Sequence, residues 1–571
     1  MPEKCGSSNR EEIMKKSRLL CVILSIVLII SSLAGCSKSS KEQPSASPSP
    51  AQDSAATAAP TQTADPTQAA DTLSGTITIN TQAGVGAAEA WKAVAEAYTQ
   101  KHPKVKVVVD LKPVEGYGEW VQNIYNTDNP TTDIVNINLA GSTAVGKSIN
   151  YLEYADSDSP YSDGVWTDQF NFSMQTRDLA RGEWTALNLD SVQVLWLYNK
   201  EIFEKAGISA PPATWEELVA DCVKIKDAGY QPISMPGDYN SFWAGTMGWL
   251  SQIYADQTTR SMVNVYRAQE GDYCYDPDVD GVWSFDPNDP YNDDNWKVDS
   301  NAVRAFKAVS DGTYKPDSPG MKTVWTNFAK VFPKYAGGDA FFGTSDGVPL
   351  FYQGKAAMMV DGAWRLINFK KDMEKVASGE EIKSGEAVIN GVTKFDLGTF
   401  NMPSMEGEGI EAKARTIEVA TGFLGAIKKD KEHDALVVDF LMYLSSQEGY
   451  SKYLTAGIAA DMVPNGPPLV NGVKLPEEYQ SIFDNLSFIG NCQKGYSCML
   501  ARGMAGSAGD ITESYRAFYD YSYKYLSGKM TVDQWIAKHK ENVNTYLKEA
   551  MKTSGISEKD LKNPQTAPSG Q

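Results

Sequence analysis

The feature that most constrains the fold is a strand followed by two helices near the middle of the chain. Residues 194–198 form an apolar and aromatic run of strand length, and Asn199 then begins a helical pattern that ends at Gly207. Thr214, with Glu217 three residues later, predicts a capping box at the start of a second helix. Four residues of that helix recur at helical spacing and predict a buried face: Trp215, Leu218, Cys222 and Ile225. Such alternation of strands and helices indicates an α/β fold.

The chain ahead of this stretch shows the same alternation. Residues 76–80, 105–109 and 132–135 read as strands, and a helical pattern separates the first two. That helix presents one apolar face: Trp91, Val94, Ala95 and Tyr98. This order predicts a parallel sheet covered by helices, and ligands of such sheets bind at the carboxyl ends of the strands. Gln82, after the first strand, and Asn138, after the third, are therefore expected near any cleft.

Two blocks of sequence carry a specific resemblance. In the first, a strand ends in Leu-Tyr-Asn-Lys, a short helix closes at Ala-Gly, and a Pro-rich turn leads to Thr-Trp-Glu-Glu-Leu at residues 214–218. In the second, residues 350–367, an apolar strand ends in Asp-Gly-Ala-Trp. Both blocks resemble the extracellular solute-binding proteins of family 1, the maltodextrin-binding-like receptors of ABC importers. The resemblance implies a two-lobed, type II periplasmic-binding-protein-like fold, in which each lobe is a mainly parallel sheet flanked by helices and the ligand cleft lies at the hinge.

The resemblance also divides the chain into lobes. It implies an N-terminal lobe of residues 74–190 plus 415–460 and a C-terminal lobe of residues 191–414 plus 461–571. About 500 residues are long for one hydrophobic core and sufficient for two.

The first residues read as a targeting segment. Basic residues precede an apolar core at positions 19–30, which is too short to span a membrane, and the core ends in Leu-Ala-Gly-Cys36. Residues 1–35 therefore resemble a lipoprotein signal peptide, with Cys36 carrying the lipid, a palmitate; the alternative is an ordinary secretory signal. Residues 36–73 are rich in Ser, Ala, Pro and Thr, and predict a disordered tether. These features predict a protein anchored by lipid to the outer face of the bacterial cytoplasmic membrane.

The net charge limits which partners the protein can have, and the cysteine count limits its disulfides. A net charge of -19 argues against nucleic acid and anionic lipid surfaces, which leaves the lipid anchor as the only contact with the membrane. Four cysteines remain besides those of the targeting segment and the lipid site Cys36, and they are too few for a disulfide framework in so large a protein. Cys492 and Cys498 are close enough to bridge outside the cell, and a bridge and two thiols both remain open.

Candidate ligand-binding residues follow strands or lie at the lobe crossings. Trp364, in the Gly-x-Trp turn, and Trp243, near polar residues at a strand end, are candidate stacking platforms for a sugar, although a single Trp is more often core. The polar candidates are Asp238, Asn240, Asn138, Asp190, Gln82 and Arg502.

An acidic stretch matches the first half of a calcium loop. Asp276, Asp278 and Asp280 alternate and are followed by Gly281, but Pro287 occupies the twelfth position, where a calcium loop needs Glu. The stretch is either a structural calcium site or a solvated acidic loop. No other cofactor is expected.

No catalytic constellation stands out. The three histidines, His102, His433 and His539, lie beside charged or proline residues and read as surface positions. The sequence therefore predicts a monomeric, non-enzymatic receptor that captures a small solute, an oligosaccharide in view of its aromatic content, and presents it to the transmembrane subunits of an ABC permease. A secreted glycoside hydrolase and a sensor or adhesin ectodomain of the same fold are the alternatives.

Overall fold

A computed structural model describes residues 73–175, 177, 182–244, 246–294, 297–385, 387–487, 489–492, 499–506 and 509–568. The predictions for the signal peptide, the tether, the lipid site at Cys36 and the thiol of Cys498 lie outside these ranges, so the bridge to Cys492 stays a prediction. Within them, no helix combines the length and apolar character needed to cross a membrane.

Strands and helices alternate in the first part of the described chain, and a long run of helices and then a run of strands follow. The strands are β1 (Gly75–Ile79), β2 (Val105–Val109), β3 (Ile134–Asn136), β4 (Asp190–Asn199), β5 (Gln231–Ile233), β6 (Ala356–Gly362), β7 (Lys383–Ser384), β8 (Ala387–Val388), β9 (Leu397–Phe400), β10 (Glu418–Thr421), β11 (Leu424–Ala426), β12 (Ala505–Gly506) and β13 (Gly509–Asp510). The α-helices are α1 (Ala87–Lys101), α2 (Tyr117–Tyr125), α3 (Lys200–Lys205), α4 (Trp215–Asp227), α5 (Tyr239–Ala244), α6 (Thr246–Asp256), α7 (Val263–Tyr266), α8 (Ala302–Ser310), α9 (Pro319–Val331), α10 (Val348–Tyr352), α11 (Trp364–Ser378), α12 (Lys431–Leu444), α13 (Gln447–Ala459), α14 (Glu477–Asp484), α15 (Thr512–Leu526) and α16 (Val532–Thr553). Short 3-10 turns connect several of them.

The first sheet has the strand order β11-β3-β1-β2. β1 pairs in parallel with β2 and β3, and β11 adds an antiparallel edge to β3. Helix α1 covers this sheet with the predicted apolar face, because Trp91, Val94, Ala95 and Tyr98 are all buried. The parallel, helix-covered sheet of the sequence prediction is confirmed here.

The second sheet has the order β10-β4-β6-β5, with β9 also on β4. Only β5 and β6 pair in parallel, since β4 runs antiparallel to β6, β9 and β10. A mainly parallel sheet is therefore wrong for this half. The reason is the path of the chain: β4 enters the sheet from the first half and must run away from the crossing, whereas β5 and β6 run toward it.

Strand β4 and the two helices that follow it, α3 and α4, form as predicted. The side chain of Asn199 accepts the N–H of Ile202 at 3.1 Å, which caps α3. Thr214 Oγ1 accepts the N–H of Glu217 at 3.2 Å, and Glu217 accepts the N–H of Thr214 at 3.0 Å, which completes the capping box of α4. The four apolar residues predicted for α4 are buried, and burial raises the pKa of the Cys222 thiol, so that cysteine belongs to the core.

A separate cluster of buried residues joins the acidic stretch to the C-terminal part of the chain. Val303 and Phe306 of α8 pack there with Val543 of α16. Helix α16 also packs on α9, where Trp535 stacks on Trp325 with ring centroids 4.1 Å apart. The histidine in the same helix corrects the sequence analysis: His539 is fully buried against Trp535 and is not a surface residue.

Candidate functional site

Three chain segments cross side by side between the two sheets. Leu187 and Leu424 exchange both backbone hydrogen bonds at 2.9 Å, and Asp190 pairs with Thr421 at the start of β4. The third segment joins through the N–H of Ser191, which donates to the carbonyl of Pro467 at 2.9 Å. The sequence analysis put the second crossing at residue 415, but β10 still pairs with β4 in the second sheet, so the chain crosses after Thr421.

A cavity of about 290 Å³ lies beside these crossings, on the side of the first sheet. The ends of β1 and β3, the start of α1, the crossing segments and α13 all contribute to its wall. The lining residues are Thr81, Gln82, Ala87, Trp91, Asn136, Leu189, Asp190, Thr421, Gly422, Phe423, Leu424, Leu444, Tyr450, Tyr453 and Asn465. The carboxyl ends of β1 and β3 thus meet at a pocket, as expected for ligand sites of parallel sheets.

Aromatic side chains form one side of the cavity. Tyr450 and Tyr453 stack with ring centroids 5.6 Å apart and an interplanar angle of 10°. Trp91 contacts Tyr453 edge to face at 5.2 Å. Helices α1 and α13 hold this arrangement because they pack along each other. Large apolar ring surfaces next to polar groups are the usual lining of a pocket for a small organic ligand.

Polar groups of the same cavity have spare hydrogen-bonding capacity. Among the described residues, the buried hydroxyls of Thr81 and Thr421 have no hydrogen-bond partner. Asp190 accepts a short hydrogen bond from the hydroxyl of Tyr450, and burial raises the pKa of Asp190 to about 7. Because buried polar groups without partners are costly, these groups are suited to a ligand that supplies the missing bonds.

The strand ends of the second sheet are organised differently. Trp364 begins α11 directly after β6, and its ring lies over Gly362, where an added Cβ would come within 2.2 Å of it. The ring is partly buried and meets Trp249 at a centroid distance of 6.3 Å. Asp361 accepts the Arg365 Nε–H at 2.7 Å and the N–H of Gly362 at 2.8 Å. The carboxylate at this edge is therefore paired within the protein, although the buried indole N–H of Trp249 has no hydrogen-bond partner among the described residues.

The model of the family described as bacterial extracellular solute-binding protein matches residues 84–450. The chain belongs to this family. This solute-binding protein thus has the family and the two-sheet α/β fold that the sequence resemblance implied.

Solved structures of similar fold include three proteins at low sequence identity. The cyclic alpha-maltosyl-1,6-maltose binding protein of Arthrobacter globiformis is 14% identical, with a TM-score of 0.53, over 83% of this chain and 100% of that one. The apo form of RafE from Streptococcus pneumoniae is 14% identical, with a TM-score of 0.52, over 83% and 98%. A family 1 extracellular solute-binding protein of Bifidobacterium longum subsp. infantis is 16% identical, with a TM-score of 0.51, over 83% and 99%. At such identities the likeness concerns the fold.

A curated binding protein of Brucella abortus (strain 2308) matches at 66% identity over 32 residues. This match covers 6% of the solute-binding protein and 8% of the relative's own length. It therefore adds a local similarity and no more.

The sequence-derived site residues of the solute-binding protein separate into two groups. Gln82 and Asp190 line the cavity. Asn138 is partly buried in the 3-10 turn after β3, and its N–H donates to Asn136 Oδ1 at 3.1 Å. Arg502 is buried, with 6% of its surface exposed, and is not among the residues that line the cavity. Its role in binding stays a prediction.

The remaining candidates lie around the second sheet. Asp238 accepts the N–H of Ser241 at 3.1 Å, as a helix-capping residue does, and Asn240 is exposed. The side chain of Trp243 lies outside the described part of the chain. Trp364 is at the strand end where the sequence analysis expected it. Binding by these four residues stays a prediction.

Several lining residues were missed by sequence analysis. Trp91 was read only as part of the buried face of α1, and Tyr450 and Tyr453 carried no motif. Their separation along the chain explains this, because Trp91 and Tyr453 meet only when α1 packs on α13. The position of Thr421 at a lobe crossing was a usable signal, since Asp190 was chosen on that ground.

The acidic stretch does not form a preorganised metal site in this structure. Asp280 accepts the N–H of Asp276 at 2.9 Å and the N–H of Asp299 at 2.8 Å, and Asp276 accepts the N–H of Asp278 at 2.9 Å. Within the described ranges, no group of three or more His, Cys, Asp or Glu is arranged to hold a metal ion. The calcium hypothesis for Asp276, Asp278 and Asp280 thus gains no geometric support and stays a prediction, which a melting temperature measured with and without chelator would test.

Proposed function

We propose that the protein is the sugar-binding receptor of an ABC importer, held at the outer face of the membrane by a lipid on Cys36. The observation that carries the sugar assignment is the cavity, in which the rings of Trp91, Tyr450 and Tyr453 adjoin two hydroxyls, of Thr81 and Thr421, that have no hydrogen-bond partner among the described residues. A sugar presents an apolar ring face and a rim of hydroxyls, and both features match this lining.

The similar structures support the same assignment. Their descriptions name a maltosyl-maltose binding protein, a chitin oligosaccharide binding protein with a TM-score of 0.51, and RafE. Capture of the solute between two lobes would produce a composite surface for the transmembrane subunits of a permease. The receptor acts as a monomer and performs no chemistry on its ligand.

A thermal-shift screen of residues 74–571 against a sugar library tests the binding function. A true ligand in excess raises the melting temperature by mass action, and calorimetry then gives its affinity. Chromatography of the same mixture separates a receptor from a hydrolase, because a receptor leaves the sugar intact. A library in which no sugar shifts the melting temperature would contradict the assignment.

The lipid anchor has its own test. Cys36→Ala is expected to release the full-length protein into the medium in folded form, since the described residues begin at Leu73 and the core they form does not include the cysteine. Cys222→Ala is the control and should remain with the membrane, because Cys222 is buried in the core. If Cys36→Ala also stays in the membrane fraction, the lipid assignment is wrong.

A further inference from the structure

The described lining of the cavity contains an acidic group without a basic one. Among the described residues that line it, Asp190 is the one carboxylate, and there is no Lys, Arg or His. In the part of the chain that the structure describes, no cationic side chain forms an ion pair with Asp190, whereas Asp133, Asp256 and Asp361 all have such partners. Within the described ranges, the charge of Asp190 thus has a hydrogen bond from Tyr450 but no counter-ion.

The surroundings of Asp190 make this costly. The Tyr450 hydroxyl donates one hydrogen bond to Oδ1, and burial raises the pKa of the carboxyl group to about 7. Near neutral pH the ionised form lacks both full solvation and a counter-ion, which is unfavourable for a buried charge. A ligand that brings a positive charge would remove this penalty when it binds, and a neutral ligand would not.

The aromatic lining favours the same kind of ligand. The faces of Trp and Tyr rings attract cations, and Trp91, Tyr450 and Tyr453 all line the cavity with Asp190. The polar side chains of Gln82 and Asn465 and the hydroxyls of Thr81 and Thr421 remain for neutral groups of the ligand. With a volume of about 290 Å³, the cavity is at the small end of ligand pockets and suits a single ring.

We infer that this cavity selects a sugar ring that carries a protonated amine, with Asp190 as the partner of the ammonium group. The inference rests on the proposed sugar-binding function and makes it specific, because it names the class of sugar. Asp190 is then the specificity-determining residue of the site, and the two threonine hydroxyls bind ring hydroxyls.

The test compares sugars that differ in one substituent. Glucosamine with glucose, galactosamine with galactose, and the β-1,4-linked glucosamine disaccharide with both cellobiose and its N-acetylated form make a matched panel for calorimetry near neutral pH. We expect at least one amine-bearing member to bind about tenfold or more tightly than its neutral counterparts, as for other hydrogen bonds to charged groups. Asp190→Asn should abolish that preference, and Asp190→Glu should retain part of it.

Asp128→Asn is the control for net charge, because Asp128 is an exposed carboxylate outside the cavity and its loss should leave the preference intact. The inference is overturned if neutral sugars bind as tightly as amine-bearing ones, or if Asp190→Asn weakens both equally; either result leaves the sugar-binding function in place. If no member of the panel binds while another sugar of the library does, the amine preference is also wrong. If no sugar binds at all, both the function and the inference fail.

Discussion

The two sides of the lobe crossing use the same residue types in opposite ways. On the first-sheet side, Asp190 has no cationic partner and the hydroxyl of Thr421 has no hydrogen-bond partner among the described residues. On the second-sheet side, Asp361 pairs with Arg365, and Trp364 packs over Gly362. The carboxylate of the second side is therefore neutralised within the protein, whereas the described residues leave that of the first side without a counter-ion. If a ligand binds at the crossing, we expect the first side to contribute more to its affinity than the second.

The largest expected effect concerns the aromatic lining of the first side. Trp91 is only 3% exposed and contacts Tyr453, so Trp91→Ala should lower the free energy of unfolding by about 3 to 5 kcal/mol and also abolish sugar binding. Trp91→Phe fills most of the space and should keep the fold while weakening affinity. Urea unfolding and calorimetry on both variants check this. Full affinity in Trp91→Phe would show that the indole is core only and would weaken the comparison.

The second side should respond less strongly. If Trp364 is a stacking platform, Trp364→Ala should weaken sugar binding by about 1 to 3 kcal/mol and change stability little, since the ring is only partly buried. If the ring instead acts as core against Gly362 and Trp249, the same variant loses about 3 to 5 kcal/mol of stability and keeps its affinity. That second result would remove Trp364 from the site and leave binding entirely to the first side.

These predictions also show what the sequence could reveal. The α/β order, the capping box of α4 and the buried face of α1 are local patterns, and each formed where it was expected. The direction of β4 depends on the path of the chain between sheets, which no local pattern records. Likewise His539 lies between charged neighbours in sequence, but the packing of α16 on α15 buries it against Trp535 and Tyr521.

The residues that line the cavity also divide into those that a local sequence feature indicates and those that only the packing of distant segments brings there. Gln82 and Asp190 could be predicted because a strand end and a lobe crossing are features of the chain itself. Tyr450 and Tyr453 could not, because they reach the cavity only through the packing of α13 on α1, far away in sequence. Arg502 was chosen for its charge in a Gly-rich loop, and the structure buries it. Whether Arg502 contacts a ligand therefore stays a prediction.

Replacing a carboxylate that has a cationic partner and replacing one that has none should change the free energy of unfolding in opposite directions. Asp361→Asn removes the carboxylate that pairs with Arg365, and with both side chains only 13% exposed this should cost about 2 kcal/mol. Asp190→Asn removes a half-buried charge instead. The pKa of Asp190 is raised from 3.8 to about 7 in the folded protein, so the folded state holds the extra proton between these values and stability falls as the pH rises through that range.

Asp190→Asn should therefore remove this loss and stabilise the ligand-free protein above pH 7. We expect about 1 to 2 kcal/mol, because the side chain keeps some contact with solvent through the cavity. Urea unfolding of both variants at acidic and alkaline pH measures the two effects. A destabilised Asp190→Asn at alkaline pH would mean that the protein does compensate this charge, and the contrast between the two sides would be lost.

The smallest expected effect concerns two buried threonines near the crossing, Thr416 and Thr421. The Thr421 hydroxyl has no partner among the described residues, whereas the Thr416 hydroxyl donates to the carbonyl of Val194. Both side chains are buried, and Val preserves their shape. Thr421→Val should therefore leave the free energy of unfolding unchanged or slightly higher and weaken sugar binding by about 1 kcal/mol, because the ligand loses one hydrogen bond. Thr416→Val should do the reverse, lowering stability by about 1 kcal/mol with affinity intact. If Thr421→Val costs stability and spares affinity, its hydroxyl serves the fold, and the first side is less open to ligand than the cavity indicates.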